Sequence, residues 1–556
     1  MGCASSSASS PPLRTKGGNP DEVAALTTKL RTRGKNVFAE PIDKDWQPVV
    51  HPKSDASKQI IRTALKNNTF SALFEEMKES ELFRFIDLMC PERQSPGVML
   101  ITQGTAGEYM YVLEKGEVSY RVDNKTLGGG KDGVSFGELA LLFGSPRAAD
   151  VVTVTECILW KIDRTSFRAC MAYTARMVEK KQGGAAFGRS DANVKGTWPQ
   201  RKNIPFSSLS TVANLGAGQF GQVTLVKCEE DRAVYVLKAI SKRKVEDQNS
   251  QASVLREKDT MIACDHPFVC KLHATWRGTS EIYFLVDFAQ GGDLWTRLFD
   301  ARDAADGLKP NDVRFYAAGV VMAMGHVHSK GIIYRDIKPE NLMIDDKGYI
   351  KLIDFGFAKF MNASKTYTLC GTPEYMAPEI ILGRGYGYSI DWWAIGVLIY
   401  EMTVGYSPFS DPDGDGDPAE VWGDIIKGAL NFNPVEWKGK GLAKNLVKAL
   451  LTQDDKKRLG STGGGEAAVK KHRYFKNEDW SRLFHFEVPA PWVPTVKGPE
   501  DVAHFEDIEF EEEPRGTTAS SEPTWAIEFG EPTGGGDGAP SNDTPVGALL
   551  SFFSFG

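Results

Sequence analysis

Residues 333–341 read Ile333-Tyr334-Arg335-Asp336-Ile337-Lys338-Pro339-Glu340-Asn341, and Asp354-Phe355-Gly356 follows thirteen residues after Asn341. An acid comes first, with a lysine two residues on and an amide five residues on, and a second acid follows; the amide and the second acid offer hard oxygens to a cation. Such oxygens suit magnesium, a small ion that takes one or two protein ligands and completes its shell elsewhere. Asp336 is suited to orient a hydroxyl and take its proton, and Lys338 to sit beside an anionic group in transit. Asn341 and Asp354 are the metal candidates. Any one of these residues alone would be an ordinary turn residue or helix cap.

The order of their neighbours makes the set more than chance. Upstream stands Leu215-Gly216-Ala217-Gly218-Gln219-Phe220-Gly221-Gln222-Val223, whose glycines let backbone amides lie close over phosphates, with apolar residues alternating on both sides as in a hairpin. Val234-Tyr235-Val236-Leu237-Lys238 reads as a strand ending in a lysine for the α- and β-phosphates, and Glu257, in the helix-like Val254-Leu255-Arg256-Glu257-Lys258, is its natural ion-pair partner. Ala377-Pro378-Glu379 closes the downstream side. Phosphoryl transfer needs positioning and charge neutralisation more than covalent help, and these residue types supply both.

The stretch 209–529 therefore resembles a serine/threonine kinase of the AGC group, and within it the cyclic-nucleotide-dependent kinases. The resemblance rests on Tyr334-Arg335-Asp336, Asp354-Phe355-Gly356-Phe357 and Thr368-Leu369-Cys370-Gly371-Thr372-Pro373-Glu374-Tyr375. It implies ATP with two Mg2+ ions, catalytic Asp336, Lys338, Asn341, Lys238 and Glu257, and an ATP site built from Leu215, Gly216, Gly218, Phe220, Gly221, Val223, Val236, Lys238, Val286, Asp287, Ala289, Asp293 and Met343. Asp287 and Ala289 would offer hinge backbone groups to adenine. Val236 stands where the family usually has Ala. Asp293, Glu340 and Glu401 match acidic positions that imply protein substrates with Arg or Lys before the acceptor Ser or Thr, and Phe357 favours Ser. Thr368 would be the activation-loop phosphosite, its phosphate held by Arg335. Arg458 resembles the buried partner of Glu379, and Asp391 the residue that holds the catalytic-loop backbone.

Composition agrees with a multidomain globular chain. It has 556 residues, 41% hydrophobic and 25% charged, with a net charge of −7 that argues against nucleic acid as a partner. Eight scattered cysteines show no metal-type pairing, as in a reduced cytosolic chain. The most apolar run, Trp392 to Tyr400, is nine residues and meets Glu401, too short for a membrane span.

The first residues are Met1-Gly2-Cys3-Ala4-Ser5-Ser6. Gly2 with a hydroxyl residue at position six fits N-myristoylation, and Cys3 is a palmitoylation candidate. One acyl chain binds membranes marginally, so a second would decide anchoring, with help from the basic residues near it. The expectation is a cytoplasmic protein held at membranes by N-terminal lipid. Further on, Arg31-Thr32-Arg33-Gly34-Lys35-Asn36-Val37-Phe38-Ala39-Glu40 resembles the inhibitory segment that precedes the nucleotide-binding domains in regulatory subunits of cyclic-AMP-dependent kinase. The resemblance gives Phe38 the acceptor-like position, without a hydroxyl, and Arg33 and Lys35 the upstream basic ones. A solvated basic linker is the other reading.

Between Lys58 and Met89 the apolar residues Ile60, Ile61, Leu65, Phe70, Leu73, Phe74, Leu82, Phe85, Ile86 and Met89 carry helical spacing. After Pro91 come short strands with Gly-rich turns, at 98–102, 109–113, 118–122, 151–154 and 158–162, which suggest a jelly roll or barrel. Within them lies Ser135-Phe136-Gly137-Glu138-Leu139-Ala140-Leu141-Leu142-Phe143-Gly144-Ser145-Pro146-Arg147-Ala148-Ala149-Asp150, which resembles the phosphate-binding cassette of cyclic-nucleotide-binding domains. A helix starting near Gly137 would aim free amides at an anion. By the resemblance Glu138 accepts the ribose hydroxyl, Arg147 binds the cyclic phosphate, and Gly137, Leu139, Ala140 and Ala148 line the site. Ala148 stands where cyclic-GMP-selective relatives carry Thr or Ser, which leans toward cAMP. Asp150 replaces a usual Thr or Ser; its carboxylate either weakens the phosphate site or faces water.

The predicted architecture is an α+β multidomain chain: an N-terminal β jelly-roll cyclic-nucleotide-binding domain and a bilobal protein kinase fold with an AGC C-terminal tail. The expected divisions are a disordered segment 1–57, the nucleotide domain 58–182, a linker 183–208, the kinase 209–475, the tail 476–529 and a flexible extension 530–556. In the tail, Trp525-Ala526-Ile527-Glu528-Phe529 resembles the hydrophobic motif that docks on the helix bearing Glu257, with Phe552-Phe553-Ser554-Phe555 as a rival. The reading is a serine/threonine kinase regulated by cAMP or cGMP and autoinhibited without ligand. The alternative is a constitutive AGC kinase whose jelly roll is a docking module.

Overall fold

A computed structural model describes residues 37–38, 46–67, 74–75, 77–105, 107–138, 147, 149–170, 198, 202–218, 221–302, 307–410, 418–461, 464–505, 523–530 and 532–533. Arg33, Lys35, Gly2, Cys3, Phe220, Leu139, Ala140 and Ala148 lie outside the described residues. A two-residue strand, β1 (Val37–Phe38), comes first.

Among the described residues, the helical spacing of 58–89 includes two helices. In α1 (Asp55–Lys66), Ser54 caps the start by accepting the N–H of Ser57, and Ile61, Ala64 and Leu65 face the core. In α2 (Glu79–Leu88), the N-terminal backbone N–H of Lys78 donates to the Glu81 carboxylate, and Leu82, Phe85 and Ile86 are buried. The strands that follow are β2 (Cys90–Gln94), β3 (Met99–Ile101), β4 (Tyr109–Lys115), β5 (Glu117–Val122), β6 (Lys125–Lys131), β7 (Ser135–Phe136), β8 (Asp150–Thr153) and β9 (Cys157–Asp163). They form two four-stranded antiparallel sheets, β2-β9-β4-β7 and β3-β8-β5-β6, and not a closed barrel. Between the sheets, Ile101, Tyr111, Leu113, Val118, Phe136, Val151 and Leu159 make one apolar cluster. The β5–β6 hairpin turns at Asp123 and Asn124, both at positive φ, the geometry that fits the right-handed twist of paired strands.

The second unit opens with a five-stranded antiparallel sheet. Its members are β10 (Leu209–Gly218), β11 (Gly221–Cys228), β12 (Val234–Ser241), β13 (Leu272–Arg277) and β14 (Glu281–Val286), in the order β10-β11-β12-β14-β13. The helices α3 (Lys242–Asp247) and α4 (Gln251–Ala263) follow β12 in the chain. A mainly helical lobe comes after β14. Here α5 (Leu294–Arg302), α6 (Pro310–Ser329), the short α7 (Pro378–Ile381) and α8 (Ser389–Val404) accompany the small strands β15 (Ile332–Ile333), β16 (Leu342–Ile344), β17 (Ile350–Leu352), β18 (Lys359–Phe360) and β19 (Cys370–Gly371). Every residue of α8 is buried, in keeping with its largely apolar sequence, and no described helix is long and apolar enough to cross a membrane.

One buried ion pair ties this lobe together. Arg458 is fully buried and donates from Nη1 and Nη2 to the two oxygens of Glu379, at 2.5 and 2.9 Å. This is the partnership expected for those two residues. A forked guanidinium on a carboxylate satisfies both charges, which makes their burial tolerable.

The C-terminal tail returns to the sheet. Gln290 donates to the carbonyls of Gly498 and Pro499, and the Phe505 ring lies 5.6 Å from that of Phe288. The turn Thr524–Phe529 docks beside α3 and α4. Trp525 donates to Glu246, Lys258 donates to the Glu528 carbonyl at 2.7 Å, and Phe529 is fully buried against Phe284. Of the two rival tail motifs, this one meets the Glu257 helix; residues 552–555 lie outside the described residues.

Candidate active site and nucleotide site

The catalytic loop is held in a conformation that its sequence alone would not favour. Arg335 has φ +73° and Asp354 has φ +56°, in the left-handed region. Asp391, from α8, pays for the first of these: its carboxylate accepts the backbone N–H groups of Tyr334 (3.0 Å) and Arg335 (2.9 Å), and meets His328 Nε2 at 2.7 Å.

That loop gathers the predicted residues around one acid. Asp336 is 3% exposed. Its Oδ2 accepts from Asn341 Nδ2 at 2.8 Å and lies 3.2 Å from Lys338 Nζ. Its Oδ1 accepts from the Thr372 hydroxyl at 2.8 Å, and Lys338 also donates to that hydroxyl at 3.1 Å. Burial raises the Asp336 carboxyl pKa, and the neighbouring Lys338 charge opposes the rise. Thr372 was legible only as part of a motif; its contact with the acid comes from the fold of the segment, 36 residues downstream.

The metal candidates fit magnesium by their chemistry. The amide nitrogen of Asn341 is spent on Asp336, which leaves its oxygen for a cation. Asp354 accepts the N–H of Gly356 at 3.0 Å on one oxygen only. A Cβ on Gly356 would come within 3.1 Å of that same oxygen, so the glycine keeps the carboxylate accessible. Two protein oxygens are the number magnesium takes when phosphates complete its shell.

The phosphate-facing wall is built from the sheet. Leu215, Gly216 and Gly218 lie in β10, Gly221 and Val223 in β11, and Val236 and Lys238 in β12. Gly218 pairs with Gly221, and a Cβ on Gly221 would strike the Ala239 carbonyl at 1.8 Å, so only glycine fits there. Val223 is opposite Lys238, and Lys238 Nζ sits 2.6 Å from Glu257 Oε1. Burial alone would lower the Lys238 pKa; Glu257 and Asp354 outweigh it and hold the ammonium up to about 12. Val286 ends β14 opposite Val236, Asp287 and Ala289 follow it, and Met343 in β16 bridges to Asp293. The Asp293 carboxylate accepts both N–H and O–H of Thr296, so it also caps α5.

Thr368 and Arg335 are brought to one residue, Tyr386. The tyrosine hydroxyl donates to the Thr368 carbonyl, and Arg335 Nη1 donates to that hydroxyl at 3.3 Å. Arg335 also donates to the Phe357 carbonyl at 2.6 Å.

The strand β1 crosses the same region. It pairs antiparallel with β19, Val37 opposite Gly371 and Phe38 opposite Cys370. The segment carrying Phe38 thus lies against the residues that immediately precede Thr372, whose hydroxyl donates to Asp336.

In the nucleotide domain, Gly137 has φ +87°, and a Cβ there would lie 2.7 Å from Arg147 Nη1. Glu138 follows Gly137 directly, and residues 139–146 lie outside the described residues. Arg147 is 8% exposed and forms no ion pair among the described residues. Its Nη1 donates to the Gly137 carbonyl (2.8 Å) and its Nη2 to the Tyr109 carbonyl (2.6 Å). Burial lowers its pKa. A desolvated guanidinium beside a glycine turn is a receptor for a single anionic group. The Asp150 Oδ1 accepts the backbone N–H of Gln103 at 2.6 Å.

Comparison with known proteins places these two sites together. The family model for the protein kinase domain matches residues 209–475, and that for the cyclic nucleotide-binding domain matches 91–174. The chain is 34% identical over 462 residues to the Drosophila melanogaster cGMP-dependent protein kinase, isozyme 1, covering 78% of this chain and 58% of that protein. It is 31% identical over 527 residues to the human cGMP-dependent protein kinase 2, covering 87% and 67%. It is 38% identical over 311 residues to a Caenorhabditis elegans cAMP-dependent protein kinase, catalytic subunit-like, covering 56% and 75%. The chain spans about half the length of several of the curated relatives it matches, 51% for the Plasmodium berghei cGMP-dependent protein kinase.

Proposed function

The chain belongs to the cyclic-nucleotide-dependent protein kinase family, and from that premise we propose that it transfers the γ-phosphoryl group of ATP to serine or threonine in basic protein segments, under control of a cyclic nucleotide. The observation that carries the reading is the cluster Asp336, Lys338, Asn341 and Thr372, all within hydrogen-bond or ion-pair distance of one buried carboxylate. In this reading the substrate hydroxyl replaces that of Thr372 as partner of Asp336, which orients it and takes its proton. Lys338 stands by the transferring group, and Lys238, fixed by Glu257, holds the ATP phosphates. Asn341 and Asp354 would hold the magnesium, two ions in all, whose role is to neutralise phosphate charge.

The pairing of β1 with β19 supports autoinhibition by the N-terminal segment. Phe38 has no hydroxyl to phosphorylate, and Arg33 and Lys35 stand before it in the sequence. Arg33→Ala with Phe38→Ala should raise basal peptide phosphorylation several-fold, and no rise would sink the pseudosubstrate reading.

Ala148 favours cyclic AMP, whereas the relatives named for cyclic GMP favour the other nucleotide. Phosphorylation of an Arg-rich serine peptide by the full chain, titrated with each nucleotide, decides: activation at lower cyclic AMP supports the Ala148 argument. Equal activity with and without either nucleotide would support the constitutive alternative. Gly2 and Cys3 support a lipid-tethered cytoplasmic protein, and Gly2→Ala should release it from membrane fractions.

A further inference from the structure

The hinge between the two lobes carries a charge network that the reading above leaves unused. Asp287 is the residue directly after β14, where the chain leaves the sheet. Its Oδ1 meets His273 Nε2, on β13, at 2.7 Å. Its Oδ2 accepts from the backbone N–H of Lys271 at 3.1 Å and from Lys351 Nζ, on β17, at 2.9 Å. The backbone N–H of Asp287 donates in turn to the Lys271 carbonyl at 3.2 Å. Lys271 and His273 belong to the sheet lobe and Lys351 to the helical lobe, so one carboxylate joins both lobes at the point where they pivot. The side chains are 9% (His273), 21% (Asp287) and 18% (Lys351) exposed, which removes most of the solvent screening that makes surface pairs weak.

Each partner is itself held. The edge of the Tyr235 ring packs on His273 at 5.1 Å, and Lys351 Nζ also reaches the Pro267 carbonyl at 3.3 Å. The His273 carbonyl accepts the N–H of Lys202 at 2.9 Å, from the segment that leads into the sheet lobe. The Lys238–Glu257 pair is formed while this network is closed, so the two arrangements coexist. Burial alone would raise the Asp287 carboxyl; His273 and Lys351 reverse that and hold it well below the usual carboxylate range.

We propose that Asp287, clasped by His273 and Lys351, is a hinge clamp: a positioning residue that sets the angle between the lobes and thereby the fit of the ATP adenine against the backbone of Asp287 and Ala289. The inference rests on the kinase reading for its substrate, but its test does not require phosphotransfer. A hinge must absorb whatever change in lobe angle accompanies nucleotide entry and exit, and a tie across it fixes the rest position. Lys351→Met cuts the tie on the helical side and leaves the contacts to Lys271 and His273 in place.

The experiment titrates ADP with Mg2+ against the full chain and its Lys351→Met and Lys351→Arg variants, and follows hydrogen exchange of amides 287–289 without nucleotide. The Kd for ADP should rise about fivefold in Lys351→Met, the low end of ordinary coupling between sites. Amides 287–289 should exchange faster, and Lys351→Arg, which keeps the charge and the reach, should restore both. In peptide phosphorylation, KM for ATP should rise more than kcat falls. An unchanged Kd with unchanged exchange overturns the clamp, as does a lowered Tm with ADP affinity intact, which would mark Lys351 as merely structural. A wild-type chain that binds ADP but phosphorylates no peptide would overturn the kinase reading and leave the clamp standing.

Discussion

Asp336→Asn should lower kcat for peptide phosphorylation by roughly three orders of magnitude, the middle of what one positioned acid–base group contributes. The substitution changes almost no volume, so the buried site stays filled. What it removes is the charge and one acceptor. The Thr372 hydroxyl and the Asn341 amide both donate to this carboxylate, and an amide in its place can accept from only one side while turning its own donors on the other. Lys338 loses its counter-charge at 3.2 Å. The substrate hydroxyl would then have no acceptor for its proton. ATP binding should persist, because the Lys238–Glu257 pair and the glycine hairpin do not touch Asp336. Since burial raises this carboxyl, the acid limb of the kcat profile should lie above the ordinary aspartate range: activity falls as the pH drops through the raised pKa and Asp336 gains its proton. Undiminished phosphotransfer by the purified variant, or an acid limb in the ordinary aspartate range, would remove Asp336 from the mechanism.

What could be read from the chain, and what could not, divides along a physical line. The glycine hairpin, Lys238, Glu257 and the loop 333–341 were legible because phosphate chemistry fixes residue types at short spacings. Arg458 and Glu379, 79 residues apart, were paired by resemblance and meet as expected. The hinge clamp was not legible: Asp287 was read for its backbone alone, and His273 and Lys351 join it across two lobes with no local pattern to show it. The pairing of Val37 with Gly371 and of Phe38 with Cys370 was not legible for a similar reason: composition identifies a basic segment, but only the fold gives its strand register. Strand β6 escaped because Gly128, Gly129 and Gly130 carry no alternation; the Asp123-Asn124 pair before it was the available turn signal. For the tail, packing shows what sequence could not: Ala526 and Phe529, three residues apart, are both fully buried.

Arg147→Ala should raise the cyclic-nucleotide concentration for half-maximal activation about a hundredfold, as expected when one partner of a buried, charge-assisted pair is cut away. The guanidinium does not stand in water. It is buried and donates to the carbonyls of Gly137 and Tyr109. An incoming cyclic phosphate must draw those donors toward itself, so binding is an exchange of neutral acceptors for an anionic one, and the gain is the difference between them. This exchange is also a device for coupling. Gly137 begins the cassette and Tyr109 begins β4, so a guanidinium that shifts toward phosphate loosens its hold on both. Arg147→Lys separates charge from geometry: an ammonium keeps the attraction but cannot fork to two acceptors, so it should bind between wild type and Arg147→Ala. If Arg147→Lys matched wild type, the forked contacts would be incidental. If Arg147→Ala responded to nucleotide like wild type, the phosphate would bind elsewhere, and the cassette would owe its shape to the jelly roll alone. A switch from 1:99 to 99:1 needs about 5.5 kcal/mol of differential binding, and one arginine can supply only part of it. Measurable activity without nucleotide is therefore expected even in the intact chain, and the Arg147→Ala variant should settle at that same floor.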